Sequence, residues 1–217
     1  MEQFLHELWI GRWALAEGFL RTVEVAAAGI VAGSALGLLV GVALAYGTRL
    51  LRFPCRLYVD AIRGTPVLVL VLASFYVLTG IGIHFSAVEA GIFSLTIFCG
   101  AHMAEIVRGA LQALPPGQAE AARSLGLTFP KILVLVLLPQ ALRQIVPVWI
   151  NLGAELVKAS TLLSIIGVGE LLLKTQQIIG RNFMTLEFYV LAGFLYFLVN
   201  FGIERIGKRA ERRFALR

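Results

Sequence analysis

The sequence predicts an all-α polytopic membrane protein with five transmembrane helices and a short helix between the third and fourth. Three observations carry that prediction. The 217 residues are 59% hydrophobic and 15% charged, with a mean hydropathy of +0.85. Soluble domains of this length run at about 45–50% apolar and about 25% charged. The apolar residues also gather into runs close to the roughly 20 residues that cross a bilayer as a helix. Finally, Lys and Arg crowd alternate connections between those runs.

Residues 1–20 mix Leu5, Leu8, Trp9 and Trp13 with Glu2, Glu7, Arg12 and Glu17 at helical spacing. This predicts a separate interfacial helix with its Trp residues at headgroup level. No basic start, apolar core and small-residue cleavage site stand there, so a cleaved signal peptide is not expected. Residues 22–46 form the first span. Gly29, Gly33, Gly37 and Gly41 recur four apart on one face, a pattern that lets a neighbouring helix approach closely. A polar loop with Arg49, Arg52, Arg56 and Arg63 follows, then a second span over 65–83. The third span covers 87–106, the fourth 145–168 and the fifth 188–206, with a polar loop at 170–187. The chain closes on a basic tail holding Arg205, Lys208, Arg209, Arg212, Arg213 and Arg217. The whole is one transmembrane domain, 1–217.

Fourteen of the 19 Lys and Arg fall in the tail and the connections after spans one and three; four fall on the opposite side, and Lys158 lies within a span. Basic connections stay cytoplasmic, so the N-terminus is expected outside and the C-terminus inside. The basic tail is expected to hold that topology against anionic lipid rather than to bind nucleic acid.

Between spans three and four, Pro116 suits a first helical turn. Gln118, Ala121, Ala122 and Leu125 share one face, and Gly126 suits a left-handed cap. This predicts a helix over 117–127. Glu120, Ala121 and Ala122, three residues, Gly126, nine residues, Val136, one residue, then Leu138-Pro139 resemble the EAA loop of ABC importer permeases, with Val136 in place of the family's Ile. Arg63-Gly64-Thr65-Pro66, Ala104-Glu105-Ile106-Val107-Arg108-Gly109 and Leu138-Pro139-Gln140-Ala141-Leu142-Arg143 are similar to the polar amino-acid branch of that family, the histidine, glutamine and arginine permease type.

The resemblance implies a type I ABC importer-like fold in a bacterial inner membrane. It implies a coupling helix, with Gly117, Glu120, Ala121, Ala122, Gly126 and Pro139 in the loop that meets an ATPase. It also implies separate ABC ATPase subunits carrying ATP and Mg, a second permease copy or paralogue, and an extracytoplasmic solute-binding protein. The cargo expected is a polar amino acid, enclosed by spans two to four. Asn151, Lys158, Ser160 and Thr161 match the family's start of span four loosely. Ala159 stands where an Asp is common, and Glu155 where a small or apolar residue is common.

Ionisable groups within spans are costly and read as functional. Glu155 and Lys158 are therefore candidates, either as ligand contacts or as a local ion pair. Arg63 is read as a topology determinant or a ligand contact. The Gly64-Thr65-Pro66 turn is expected to leave backbone and hydroxyl groups free for a ligand, and His102 and Glu105 share a face of span three. Glu155 is expected to favour a cationic or zwitterionic ligand.

Residues 169–175 miss the phosphate-loop pattern, since Leu173 stands where Gly is required. No HExxH or GxSxG occurs. His6, His84 and His102 are scattered, and Cys55 and Cys99 have no metal spacing, so no metal, bound cofactor or enzymatic activity is expected of this chain. A gradient-driven transporter or channel would show an inverted repeat, which is not visible. A compatible solute such as ectoine is an alternative cargo.

Overall fold

A computed structural model describes residues 2–215, with side chains through 209. The side chains of Arg212 and Arg213, and Arg217 of the basic tail, lie outside the described residues. In chain order the helices are α1 (Glu2–Tyr46), α2 (Arg49–Arg63), α3 (Val67–Gly80), α4 (Ala87–Gln112), α5 (Gly117–Ser124), α6 (Phe129–Ile166), α7 (Leu171–Asn182) and α8 (Thr185–Ala215). Four are long and apolar enough to cross a membrane alone: α1, α4, α6 and the Thr185–Arg209 part of α8. Among the described residues a fifth crossing is available only if α2 and α3, bent by 110° to one another, count together as one span.

The glycine ladder of α1 is the central packing device. A Cβ on Gly29 would meet the Leu95 Cβ at 2.8 Å, and one on Gly41 would meet the Ala104 carbonyl at 2.7 Å. Gly33 and Gly37 face Cys99 and Met103 in the same register, so α1 and α4 run parallel at backbone contact. Lipid tails are as apolar as leucine, so this close approach, rather than exclusion of water, holds such helices together. Leu95, Phe98 and Val107 of α4 also share one buried cluster with Ile145, Leu152 and Leu156 of α6. α4 is therefore the post around which the spans gather. Its first turn is fixed by a capping box, Ser86 accepting from Glu89 N–H and the Glu89 carboxylate accepting from Ser86 N–H.

Several sequence expectations need correction. The segment 1–20 is not a separate interfacial helix: α1 runs unbroken through it, about 67 Å at 1.5 Å per residue. Nothing at 20–22 stops a helix, and α7 packs along the extension. Gly11 and Gly18 admit Ile178 and the Leu171 backbone, while Arg181–Glu7 at 3.0 Å and Lys174–Glu17 at 2.9 Å pair the rims. The loop at 47–64 is the amphipathic helix α2. The loop at 170–187 contains α7, which forms because Glu170 caps its N-terminus.

The fourth span begins at Phe129 rather than 145. Pro139 lacks an N–H, and its ring would strike the Leu135 carbonyl in a regular helix. The chain instead widens into a π-helical turn at Leu133–Leu137 and continues. Gln140 Nε2 donates to the Val136 carbonyl there at 2.8 Å.

Glu170 is fully buried between α1, α7 and α8. It accepts from Leu172 N–H at 3.0 Å, Leu173 N–H at 2.9 Å and the Tyr196 hydroxyl, with the Thr22 hydroxyl at 3.5 Å. Glu170→Ala removes the acceptor from these buried donors, each worth about 1–3 kcal/mol when left unmade. A clear fall in the melting temperature of the detergent-solubilised protein is expected, with Glu170→Gln intermediate because its amide oxygen still accepts.

Candidate functional site

α2, α4 and α6 bring Arg63, His102, Glu105 and Glu155 to one cavity of about 360 Å³, completed by Ile106, Val148, Asn151 and Leu152. Each helix contributes through its period. Val148, Asn151, Leu152 and Glu155 follow the three- and four-residue spacing of one face of α6, as His102, Glu105 and Ile106 do on α4. Arg63 is the last residue of α2, delivered to the cavity by the corner that follows.

The polar groups are differently committed. Glu105 is clamped by Arg108, which donates from Nε at 2.9 Å and again from a terminal nitrogen, while Arg56 reaches it at 3.4 Å. His102 packs on the Phe98 ring with centroids 4.2 Å apart, and its Nδ1 lies 3.0 Å from the Phe98 carbonyl. A carbonyl only accepts, so Nδ1 carries the proton and Nε2 is left as the ring's other polar atom. Glu155 and Asn151 stand exposed on α6. No ion pair joins Glu155 to Lys158 among the described residues.

The structure sets other candidates apart. Lys158 is exposed outside the cavity lining. Ser160 and Thr161 also lie outside it; their hydroxyls donate to the Val157 and Lys158 carbonyls at 2.8 and 2.7 Å. These bonds support the tightened 3-10 turn Ser160–Ile166. Gly64, Thr65 and Pro66 form the corner between α2 and α3 and do not line the cavity. The Thr65 hydroxyl gives its proton to the Ala61 carbonyl at 2.8 Å, which leaves its oxygen only as an acceptor. Asn151 and Val148 carry the same α6 spacing as Glu155, and that spacing is the signal that marks them as lining residues.

α5 covers the 117–124 part of the expected coupling helix. Its end is a Schellman motif. Gly126 has φ +77°, its N–H donates to the Arg123 carbonyl at 2.8 Å, and Leu127 N–H donates to the Ala122 carbonyl at 3.2 Å. Glu120 and Ala121 face outward, and Leu125 is 81% exposed. Ala122 turns the other way, 4% exposed against the main core. It anchors α5 to its own bundle rather than sharing the outer face with Gln118, Ala121 and Leu125. Gln140 Nε2 also donates to Gln118 Oε1 at 3.2 Å, so α5 is tied to the turn that precedes Pro139. Gly117 lies exposed at the start of α5, with open space around it.

Residues 33–216 match the family described as the binding-protein-dependent transport system inner membrane component. The chain belongs to this family. A probable amino-acid ABC transporter permease protein of Bacillus subtilis (strain 168) is 35% identical over 183 residues, covering 84% of this chain and 81% of that protein. A probable glutamine ABC transporter permease protein of the same organism is 34% identical over 202 residues, covering 92% and 93%. A crystal structure of an amino acid ABC transporter with histidines superposes with a TM-score of 0.84 at 30% identity, over 92% of this chain and 94% of that one. As an inner membrane component of such a system, the chain is a multi-pass permease subunit of the ABC importer class. Its long apolar helices and exposed apolar surface accord with that place.

Proposed function

We propose that this permease subunit passes a polar amino acid across the inner membrane, received from an extracytoplasmic binding protein and driven by separate ATPase subunits that bind ATP and Mg. The observation that carries the cargo class is the pairing in one cavity of Arg63 with Glu155. A free amino acid presents a carboxylate and an ammonium, and a cavity with one cation and one uncommitted carboxylate answers both. Glu105, already held by Arg108 and Arg56, shapes the site rather than adding a second free charge.

In this reading α5 is the coupling helix. Leu125, Ala121 and Glu120 meet the ATPase, while Ala122 and the Gln118–Gln140 contact carry its movement into α6. The basic connections favour a topology with α5 and the C-terminus in the cytoplasm and the N-terminus outside. A second permease, identical or paralogous, completes the path. ATP binding changes the relative stability of inward- and outward-open states, which is what alternating access requires. The relatives named for amino-acid transport support the cargo class.

The test is competition binding and uptake with a panel of neutral, cationic and anionic amino acids in the reconstituted transporter. Glu155→Gln is expected to weaken cationic amino acids most and reorder the panel. An unchanged ranking sinks the role of Glu155, and uptake of no amino acid at all sinks the cargo class.

A further inference from the structure

Arg12 stands at the head of an apolar groove separate from the cavity lined by Arg63 and Glu155. The groove, about 470 Å³, lies between the amino-terminal half of α1 and the start of α8, walled by Leu15, Phe19, Leu20, Leu191 and Leu195. From Arg12 to Leu20 it follows about 12 Å of helix at 1.5 Å per residue. The Arg12 guanidinium lies 3.7 Å over the Trp9 ring and 5.5 Å from that of Trp13. Both indoles are open, 66% and 73% exposed, as expected of tryptophans at a membrane–water interface.

The surrounding charges pair with one another: Glu7 with Arg181, Glu17 with Lys174 and Glu24 with Arg21. Among the described residues no carboxylate lies within ion-pair distance of Arg12. The molecule therefore offers a cation held over the Trp9 ring and bonded to the Trp9 carbonyl, with an open apolar channel running from it along α1.

We propose that this groove binds one anionic phospholipid, its phosphodiester on Arg12 and one acyl chain along Leu15, Phe19 and Leu195. The lipid belongs to the leaflet that meets the amino-terminal end of α1. A second protein chain would need a counter-charge for Arg12 and a match to a narrow apolar slot. A phospholipid carries both in one molecule.

The chain has three tryptophans, and Trp149 is held inside by its bond to Ser34 at 2.7 Å. In a Trp149→Phe background, emission reports Trp9 and Trp13 alone. The full-length chain is reconstituted with brominated phosphatidylglycerol or brominated phosphatidylcholine and the quenching compared. About fivefold preference for phosphatidylglycerol is expected, the contribution of one basic residue at a membrane surface. Arg12→Gln should abolish the preference and Arg12→Lys should retain most of it. Raising salt should weaken it in the unsubstituted protein, a readout that needs no Arg12 variant. Equal quenching by the two lipids, or a preference that Arg12→Gln leaves intact, overturns the proposal. Absence of quenching by either lipid also overturns it, because the groove is then covered by protein.

Discussion

Gly126→Pro is expected to abolish solute uptake while leaving the membrane bundle assembled. Gly126 holds φ +77° and donates its N–H to Arg123; proline is confined to φ near −65° and has no N–H. The Schellman turn therefore opens, and the outward face of α5 loses its orientation. α5 is eight residues long and only Ala122 of it is buried, so the bundle loses little. Glu120→Arg makes the same point through chemistry. It reverses charge in the first turn of α5, which costs about 0.3–1 kcal/mol of local helix stability. That is too small to unfold the protein, so a loss of uptake reports on the outward face of α5 rather than on the bundle. In reconstituted transporter both variants should elute as the unsubstituted protein does on size exclusion. Uptake should fall at least about tenfold, the equivalent of ~1.4 kcal/mol. Leu125→Asp should behave likewise, since its 81% exposure leaves no internal contact to lose. Ordinary uptake in Gly126→Pro and Glu120→Arg would remove the coupling assignment.

Much of this architecture is legible in the residues, and the failures share a cause. The glycine ladder at 29, 33, 37 and 41 announces a close helix contact, because only that use explains four glycines on one face of an apolar run. The helix expected at 117–127 is found over 117–124, legible because its cap depends on local chemistry, Gly126 above all; the inward turn of Ala122 is not legible from spacing. The missed helices are those whose charge looked like loop. α2 carries Pro54 and four arginines, yet Arg49, Arg52 and Arg56 already stand at helical spacing. α7 looks polar in isolation; what makes it a helix is the Glu170 cap and its ion pairs with Glu7 and Glu17 of α1, more than 150 residues away in sequence. The first half of α6 hides behind Pro130, Pro139 and Arg143. The cavity was half legible: Arg63, His102, Glu105 and Glu155 converge, whereas Ser160 and Thr161 serve a 3-10 turn that no spacing rule reveals.

Substitution on the glycine ladder should separate packing from propensity with opposite signs. Gly33→Ala and Gly37→Ala each place a methyl against a neighbouring backbone. At Gly33 it would lie 2.9 Å from the Thr96 carbonyl, and at Gly37 2.7 Å from the Gly100 carbonyl. Backbone atoms cannot rotate aside as a side chain would, so α1 and α4 must part. Overpacking of this kind costs about 1–3 kcal/mol per site. Gly193 and Gly202 in α8 meet nothing within 4 Å, and alanine there gains up to about 1 kcal/mol of helix propensity. The Gly33/Gly37 double alanine variant should therefore lose most of its folded yield, measured by monodisperse recovery and melting temperature in detergent. The Gly193/Gly202 double variant should match or exceed the unsubstituted protein. The two pairs are the same chemical change in the same kind of apolar helix, so any difference comes from what lies opposite. Equal effects in both would mean that α1 and α4 are not in backbone contact, and α4 would no longer be the post on which the spans are assembled.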